Sequence, residues 1–354
     1  MKKRFSSLLP IFALLLPSCF YALALVLKPQ GLLSLLRPLG VNLGALLSWL
    51  FSLFPLPFSE ICWLLLLPLG LYFCLLRPLF KKRPRAAMMR TLSALSAVFT
   101  LWSSVFLVQY TAPPLSSRLG LETYEYTKEE LYSAACLLAE DLNEAAQSAS
   151  RSQNGLYSPP SLENMLPEIR RSMKEGSLSS LIPAIMPAPA KSSFFLSKAL
   201  AYLGITGYYF PLTGEQNVSA CVAPASLAFT AAHETAHALG IGPEKEANFA
   251  AFLCCLESND PDIVYSGLLN GYIYLNNSLY AEDPELWQSL YSSLSQSVRD
   301  DLAAKNAHYD QYEGPVREVG SAVNDAYIKA TGQPQGVKSY GLVTDLIVCF
   351  YLSD

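Results

Sequence analysis

Three uncharged stretches in the first 112 residues constrain this chain more than any average over its length. Residues 8–27 run for twenty positions without a charge, enough for a helix to cross a hydrocarbon core of about 30 Å. Residues 61–76 are extended by the apolar 55–58 on the other side of Glu60, which gives a second span at about 58–78. Residues 91–111, rich in Leu, Val and Phe with Trp102, form the third. The mean hydropathy of +0.26 and the charged fraction of 15% come largely from this region. The remainder reads as an ordinary globular sequence.

A fourth uncharged stretch, 38–59, contains Asn42, Gly40 and Gly44. Positive charge decides how to treat it, because loops rich in Lys and Arg stay cytoplasmic. Lys2, Lys3 and Arg4 form one basic cluster; Arg77, Lys81, Lys82, Arg83, Arg85 and Arg90 form another. With three spans both clusters face the cytoplasm, whereas a fourth crossing would leave the second outside. Residues 39–54 are therefore expected to lie on or dip into the outer leaflet, with Trp49 near the headgroups. The expectation is a multi-pass cell-membrane protein: residues 1–112 form the membrane region, in contact with the lipid bilayer, and residues 113–354 lie outside the cytoplasm. Leu16-Pro17-Ser18-Cys19 resembles a lipoprotein cleavage box, but the apolar run continues through Phe20 to Leu27, too long for a signal peptide.

The net charge of −4 and the lack of a basic stripe with interleaved aromatics argue against a nucleic-acid partner. The eight cysteines show no CxxC spacing, and a disulfide framework is not indicated. Cys254 and Cys255 read as two small buried residues.

In residues 113–354, Thr127-Lys128-Glu129-Glu130 is a capping-box pattern followed by apolar residues at helical spacing. Further helices are expected over 161–174, 284–304 and 316–330. Tyr208-Tyr209-Phe210 and 218–222 flank Thr213-Gly214-Glu215-Gln216 as a hairpin. Pro224 opens one helix and Pro243 the next, which Asn259-Asp260-Pro261 stops. The fold class is mainly α, with a small sheet in an α+β domain.

The chemistry concentrates at Ala232-His233-Glu234-Thr235-Ala236-His237. Positions i and i+4 share one face of a helix, so His233 and His237 can aim both imidazoles at one ion. Glu234 sits beside that ion and can take a proton from a polarised water, then pass one to a leaving amine. A nitrogen-rich site suits Zn2+, which lowers the pKa of such a water to about 7. The chain has only three histidines, and two fall here. The apolar flanks predict a helix buried on most sides, where unpaired His and Glu would be costly. A catalytic zinc takes three protein ligands, and the next helix offers Glu244 and Glu246. On a helix these point about 200° apart, so only one can face the ion. Glu244 shares a face with Asn248, which could orient it. His308 is the only spare histidine for stabilising an oxyanion; Tyr309, Tyr312, Arg317 and Tyr340 are other donors.

HExxH followed by ExxAN on the next helix resembles the gluzincin metallopeptidases, which implies a zincin-like fold with Glu244 as third zinc ligand, Glu246 remaining the alternative. In gluzincins an edge strand before the active helix pairs with extended substrate, and residues 217–222 stand in that place. The gap between His237 and Glu244 is shorter than in many gluzincins. More closely, the chain resembles an uncharacterised family of membrane proteins, DUF3810. The resemblance rests on Gly207-Tyr208-Tyr209, on Pro211-Leu212-Thr213-Gly214-Glu215, and on the two helical motifs His233–His237 and Glu244–Phe249. It continues through Asn324-Asp325-Ala326-Tyr327 and Gly336-Val337-Lys338-Ser339-Tyr340-Gly341. It implies a membrane-anchored zinc peptidase acting on a peptide or protein substrate. An intramembrane protease is disfavoured, because 216–232 contains Asn217, Pro224 and several Ser and follows a hairpin. The alternative is a non-catalytic membrane sensor or scaffold that retains the fold.

The charge distribution generates a topology test. A reporter fused after Ser117 should behave as extracytoplasmic, and one fused at Lys82 as cytoplasmic. A cytoplasmic Ser117 fusion would remove the three-span arrangement.

Overall fold

The computed structural model describes residues 9–331, 333–336 and 342–353, with side chains from residue 15 onward. Lys2, Lys3 and Arg4, and Tyr340 with the rest of 337–341, lie outside the described residues. The chain divides into two units. The first comprises residues 1–112 with the short segments 183–188 and 210–215, and the second comprises the rest.

In the first unit four helices follow one another: α1 (Leu9–Leu27), α2 (Gln30–Ser52), α3 (Phe58–Phe80) and α4 (Pro84–Val105), the last leading into a 3-10 turn at Leu107–Thr111. Pro68 and Pro78 cannot donate to a helical ladder, and α3 carries π-helical turns at Cys62–Leu66 and Tyr72–Leu76, each closing just before or near one of them. Two of the described helices, α2 and α3, are long and apolar enough to cross a membrane. Each has 23 residues, or about 34 Å at 1.5 Å per residue. Most of residues 39–54, which the charge pattern places on the outer leaflet, continue α2 as one uninterrupted helix, through Pro38 and past Gly40 and Gly44. The helix covering the third expected span starts at Pro84 and gives way near Phe106.

Small polar side chains join these helices. Ser18 Oγ lies 2.5 Å from Ser96 Oγ and 2.8 Å from Thr100 Oγ1, linking α1 to α4. The two short segments are held as firmly. Trp49 Nε1 donates to the Met186 carbonyl at 2.8 Å, and the Ile185 and Ala188 amides donate to Asn42 Oδ1 and Ser48 Oγ at 3.0 and 2.8 Å. Buried Glu215 accepts from the Phe58 and Ser59 amides at 2.9 and 2.7 Å, placing a carboxylate on the first turn of α3, where the exposed N–H groups and the helix dipole favour it. Gly214 has φ +68°, and a Cβ there would stand 2.0 Å from the Gly44 carbonyl, so both conformation and space demand glycine.

The second unit is mainly helical. Its elements are α5 (Leu115–Leu119), α6 (Lys128–Ser148), α7 (Leu162–Glu175), β1 (Lys191–Ser193), α8 (Ser197–Tyr202), β2 (Gly207–Phe210) and β3 (Glu215–Ser219). They continue with α9 (Leu227–Ala238), α10 (Glu244–Leu256), α11 (Pro261–Glu282), α12 (Pro284–Ser293), α13 (Gln296–Asp310), α14 (Pro315–Ala330) and α15 (Val343–Leu352). The capping box is present: Thr127 Oγ1 accepts from the Glu130 amide, and Glu130 Oε2 from the Thr127 amide. The helix expected over 284–304 is two, parted at Leu294, with Ser295 capping α13.

The sheet runs β1-β3-β2, with β1 parallel to β3 in the register Lys191↔Asn217, Ser192↔Val218 and Ser193↔Ser219. The strand proposed from the sequence as the free edge is therefore the central one. β1 covers its far side, pairing with residues 26 positions downstream, a pairing no local pattern announces.

The core forms where α11 packs along α6 and α10 while α9 packs on α10. Leu131, Leu138 and Leu142 of α6, Phe249 and Phe252 of α10, and Tyr265 and Tyr272 of α11 are buried there, as are Cys254 and Cys255. A charged group also anchors the packing. Buried Asp301 receives Arg151 Nη1 at 2.6 Å, the Tyr157 amide at 2.8 Å and the Tyr265 hydroxyl. Removing one partner of such a buried pair strands the other, at a cost of about 3–5 kcal/mol. Asp301→Ala should thus lower the unfolding midpoint sharply in a thermal or denaturant melt. A shift worth under about 1 kcal/mol, the range of exposed ion pairs, would mean that Arg151 is solvated by water instead.

Candidate metal centre

α9 starts from a 3-10 turn at Pro224–Ser226, and all its residues except Leu227 and His233 are buried. Its sequence explains this: Ala, Phe and Thr occupy the positions around the two histidines, so neighbouring helices approach closely. The helix ends in a Schellman motif. The Ile241 amide returns to the Ala236 carbonyl at 3.1 Å and the Gly240 amide to the His237 carbonyl at 3.0 Å, with Gly240 left-handed at φ +87°.

That turn places the Ile241 carbonyl 2.8 Å from His237 Nδ1. A carbonyl can only accept, so Nδ1 carries a proton and Nε2 is the ring nitrogen turned toward Glu244, the one that would bind an ion. Pro243 then opens α10, and Glu244 at its first position reaches back. Glu244 Oε2 stands 3.3 Å from His233 Nε2 and 3.5 Å from His237 Nε2. The three ligand atoms all lie within 4.8 Å of one another, and among the described residues this is the one group of His, Cys, Asp and Glu side chains placed to share a metal ion.

Two of the three separations suit donors sharing one ion. Two ligands each ~2.0–2.1 Å from a tetrahedral ion stand roughly 3.3–3.4 Å apart, which matches both carboxylate–imidazole separations. Glu244 Oε2 and His233 Nδ1 are buried without a regular hydrogen bond, and the carboxylate oxygen faces both imidazoles at ion-pair distance.

Electrostatics follow from burial. Burial pushes the Glu234 carboxyl up to about 7, over the opposing pull of both imidazoles. For Glu244 burial acts the same way, but His237 and His233 override it and hold the carboxyl well below the usual range. Burial works against charge on His237 as well; Glu244 reverses this and raises it to about 9.

Glu246 faces elsewhere. Its carboxyl is raised by burial, takes a hydrogen bond from the Leu115 amide at the start of α5 and feels Arg118. The 200° separation of the two acids thus sends Glu244 to the histidines and Glu246 to α5. Asn248 is buried one turn after Glu244, but its Nδ2 makes no hydrogen bond, so no orienting bond runs from it to that carboxylate. His308 lies on α13 with Nε2 2.8 Å from the Cys221 carbonyl, and Tyr309 takes the Ala223 amide at 3.2 Å. Tyr312 packs its ring on Tyr202, and Arg317 pairs with Glu313 at 2.7 Å.

The pattern that defines DUF3810, described as a protein of unknown function, matches residues 42–348. The chain belongs to the DUF3810 family. The match spans the metal centre as well as most of both units. No curated protein and no solved structure matches the chain.

Two features of this family member were not read from its sequence as site residues. Gly207 and Tyr209 of β2 lie against Glu234, although both belong to a motif quoted for the family resemblance. Tyr274 of α11 packs its ring 6.3 Å from Phe229, one turn before His233, and burial followed by the charge of Glu244 raises its hydroxyl pKa. No sequence signal marked Tyr274.

The two acids separate in a metal-affinity measurement. Glu244→Gln should weaken zinc binding by more than the roughly 10–100-fold typical of outer partners of a ligand, while Glu246→Gln should leave it unchanged. The reverse pattern would exchange their roles.

Proposed function

We propose that this chain is a membrane-anchored, zinc-dependent peptidase. The observation that carries the reading is Glu244 Oε2, buried without a regular hydrogen bond at 3.3 and 3.5 Å from two histidine Nε2 atoms. His233, His237 and Glu244 would hold the ion. Zinc bound there supplies a Lewis acid and lowers the pKa of a water molecule to about 7.

The remaining chemistry belongs to the chain. Glu234 is adjacent to the ligands in sequence and is not one of them. Its pKa near 7 suits a group that must both take and give a proton close to neutrality. Glu234 takes the proton from the attacking water as the C–O bond forms. It then delivers that proton to the amine nitrogen as the C–N bond breaks, and the remaining hydroxyl proton follows to the amine, leaving a carboxylate and an ammonium group. A site that merely stores a metal has no use for this acid, which favours an enzyme over a sensor or scaffold. The substrate is a peptide or protein. The two apolar helices that could span a bilayer favour placement at the cell membrane, and the three-span arrangement argued from the basic clusters would put residues 113–354 outside the cytoplasm.

The test uses the full chain in nanodiscs, with a peptide library read by mass spectrometry. Wild type should cleave, lose activity to a chelator and regain it with zinc. Glu234→Gln should retain zinc while turnover falls by about 10²–10⁴-fold, the usual worth of a general acid–base group. Equal turnover in Glu234→Gln and wild type would sink the assignment, and a zinc-loaded wild type that cleaves nothing would favour the scaffold.

A further inference from the structure

The general base assigned above has an unusual neighbour. The Ser219 amide donates to the Thr206 carbonyl at 2.8 Å, and Asn217 Nδ2 to the Tyr208 carbonyl at 3.4 Å. Residues 206 and 208 therefore turn their polar groups toward β3, and by the alternation of a strand residues 207 and 209 turn theirs away from it. The Tyr209 amide on that outer side hydrogen-bonds the Glu234 carboxylate. Glu234 Oε2 is buried and has no partner.

Gly207 explains how β2 comes this close. A Cβ at Gly207 would lie 2.7 Å from Glu234 Oε1, 2.9 Å from Glu234 Cγ and 2.8 Å from Thr230 Cγ2. Real Cβ atoms do not approach so closely, and Gly207 is not among the glycines with positive φ. A Cβ there would force the Glu234 side chain and the Thr230 methyl to shift, so glycine at this position keeps room for both. A seat made of backbone is stiffer than one made of side chains, since it has no rotamers to lose.

We propose that the Gly207–Tyr209 backbone is the seat that positions Glu234: the Tyr209 amide holds one carboxylate oxygen, the missing side chain at Gly207 leaves room for it, and Oε2 is left as the oxygen that exchanges protons with the substrate. Gly207 is a positioning residue in this account, which rests on the peptidase reading.

The first readout needs no activity. In the full chain in nanodiscs, hydrogen exchange at the Tyr209 amide, resolved by electron-transfer fragmentation, should quicken at least about tenfold in Glu234→Ala. It should stay slow in Glu234→Gln, whose carbonyl still accepts. Unchanged exchange in Glu234→Ala would overturn the seat whatever the protein catalyses. The second readout is a double-mutant cycle. Gly207→Ala should keep zinc and KM but lower kcat by about 10–10³-fold, a part of the roughly 10²–10⁴-fold that a general acid–base group supplies. In a Glu234→Asp background the same change should cost little, because the shorter acid vacates the space. An equal loss in both backgrounds would show that Gly207 acts on folding and not on Glu234. Wild-type turnover in Glu234→Gln would instead refute the peptidase mechanism, and the exchange result would still decide the seat.

Discussion

Two carboxylates and two imidazoles are enclosed at the meeting of α9 and α10, and the second unit is organised around keeping them compatible. Each ion alone would face a desolvation penalty of several kcal/mol. They tolerate burial because Glu244 reaches both imidazoles and because a backbone amide and a backbone carbonyl take up Glu234 and His237. The small residues of α9 follow from the same constraint. Larger ones would separate the helices and admit water, and the perturbed acidities that suit proton transfer would then relax toward ordinary values.

The surrounding helices supply rigidity in proportion to how deeply they are buried. α11 runs past α6, α9 and α10 and contributes Tyr265 to the Asp301 network and Tyr274 to the neighbourhood of Glu244. The first unit meets its own polar demands separately. The Glu215 carboxylate on the first turn of α3, and the side chains of Asn42, Ser48 and Trp49, satisfy backbone groups that an apolar surrounding would leave unpaired.

What could be read from the sequence was local. The spacing of His233, Glu234 and His237 gives a shared face wherever it is helical, and Pro224 and Pro243 mark where the two helices begin. The angular argument separated Glu244 from Glu246, though choosing between them took the path of the turn between the helices. α11 is not marked by the sequence pattern, in which Asn259-Asp260-Pro261 signals the end of a helix. The same residues also start one, with Asp260 accepting from the Asp262 amide and Pro261 in the first turn. The central place of β3 depends on β1, whose residues pair with partners 26 positions away, and pairings at that separation leave no mark on either strand. The contact of Gly207 with Glu234 was equally hidden, since a glycine needed for space looks in sequence like one needed for a turn.

The Schellman turn at Gly240 and Ile241 has one more consequence. It packs all three proposed donors into twelve consecutive residues, 233 to 244, with a single corner between them. In coordination terms the peptide resembles a multidentate chelator whose ring closes over a short, already folded tether, so little loop entropy is lost when the last donor engages. A donor recruited from a distant loop would tie ion binding to motions of the whole domain. Here the binding equilibrium is tied to one helix corner, and lengthening that corner by a single residue would turn α10 by about 100° and carry Glu244 off the face it now presents.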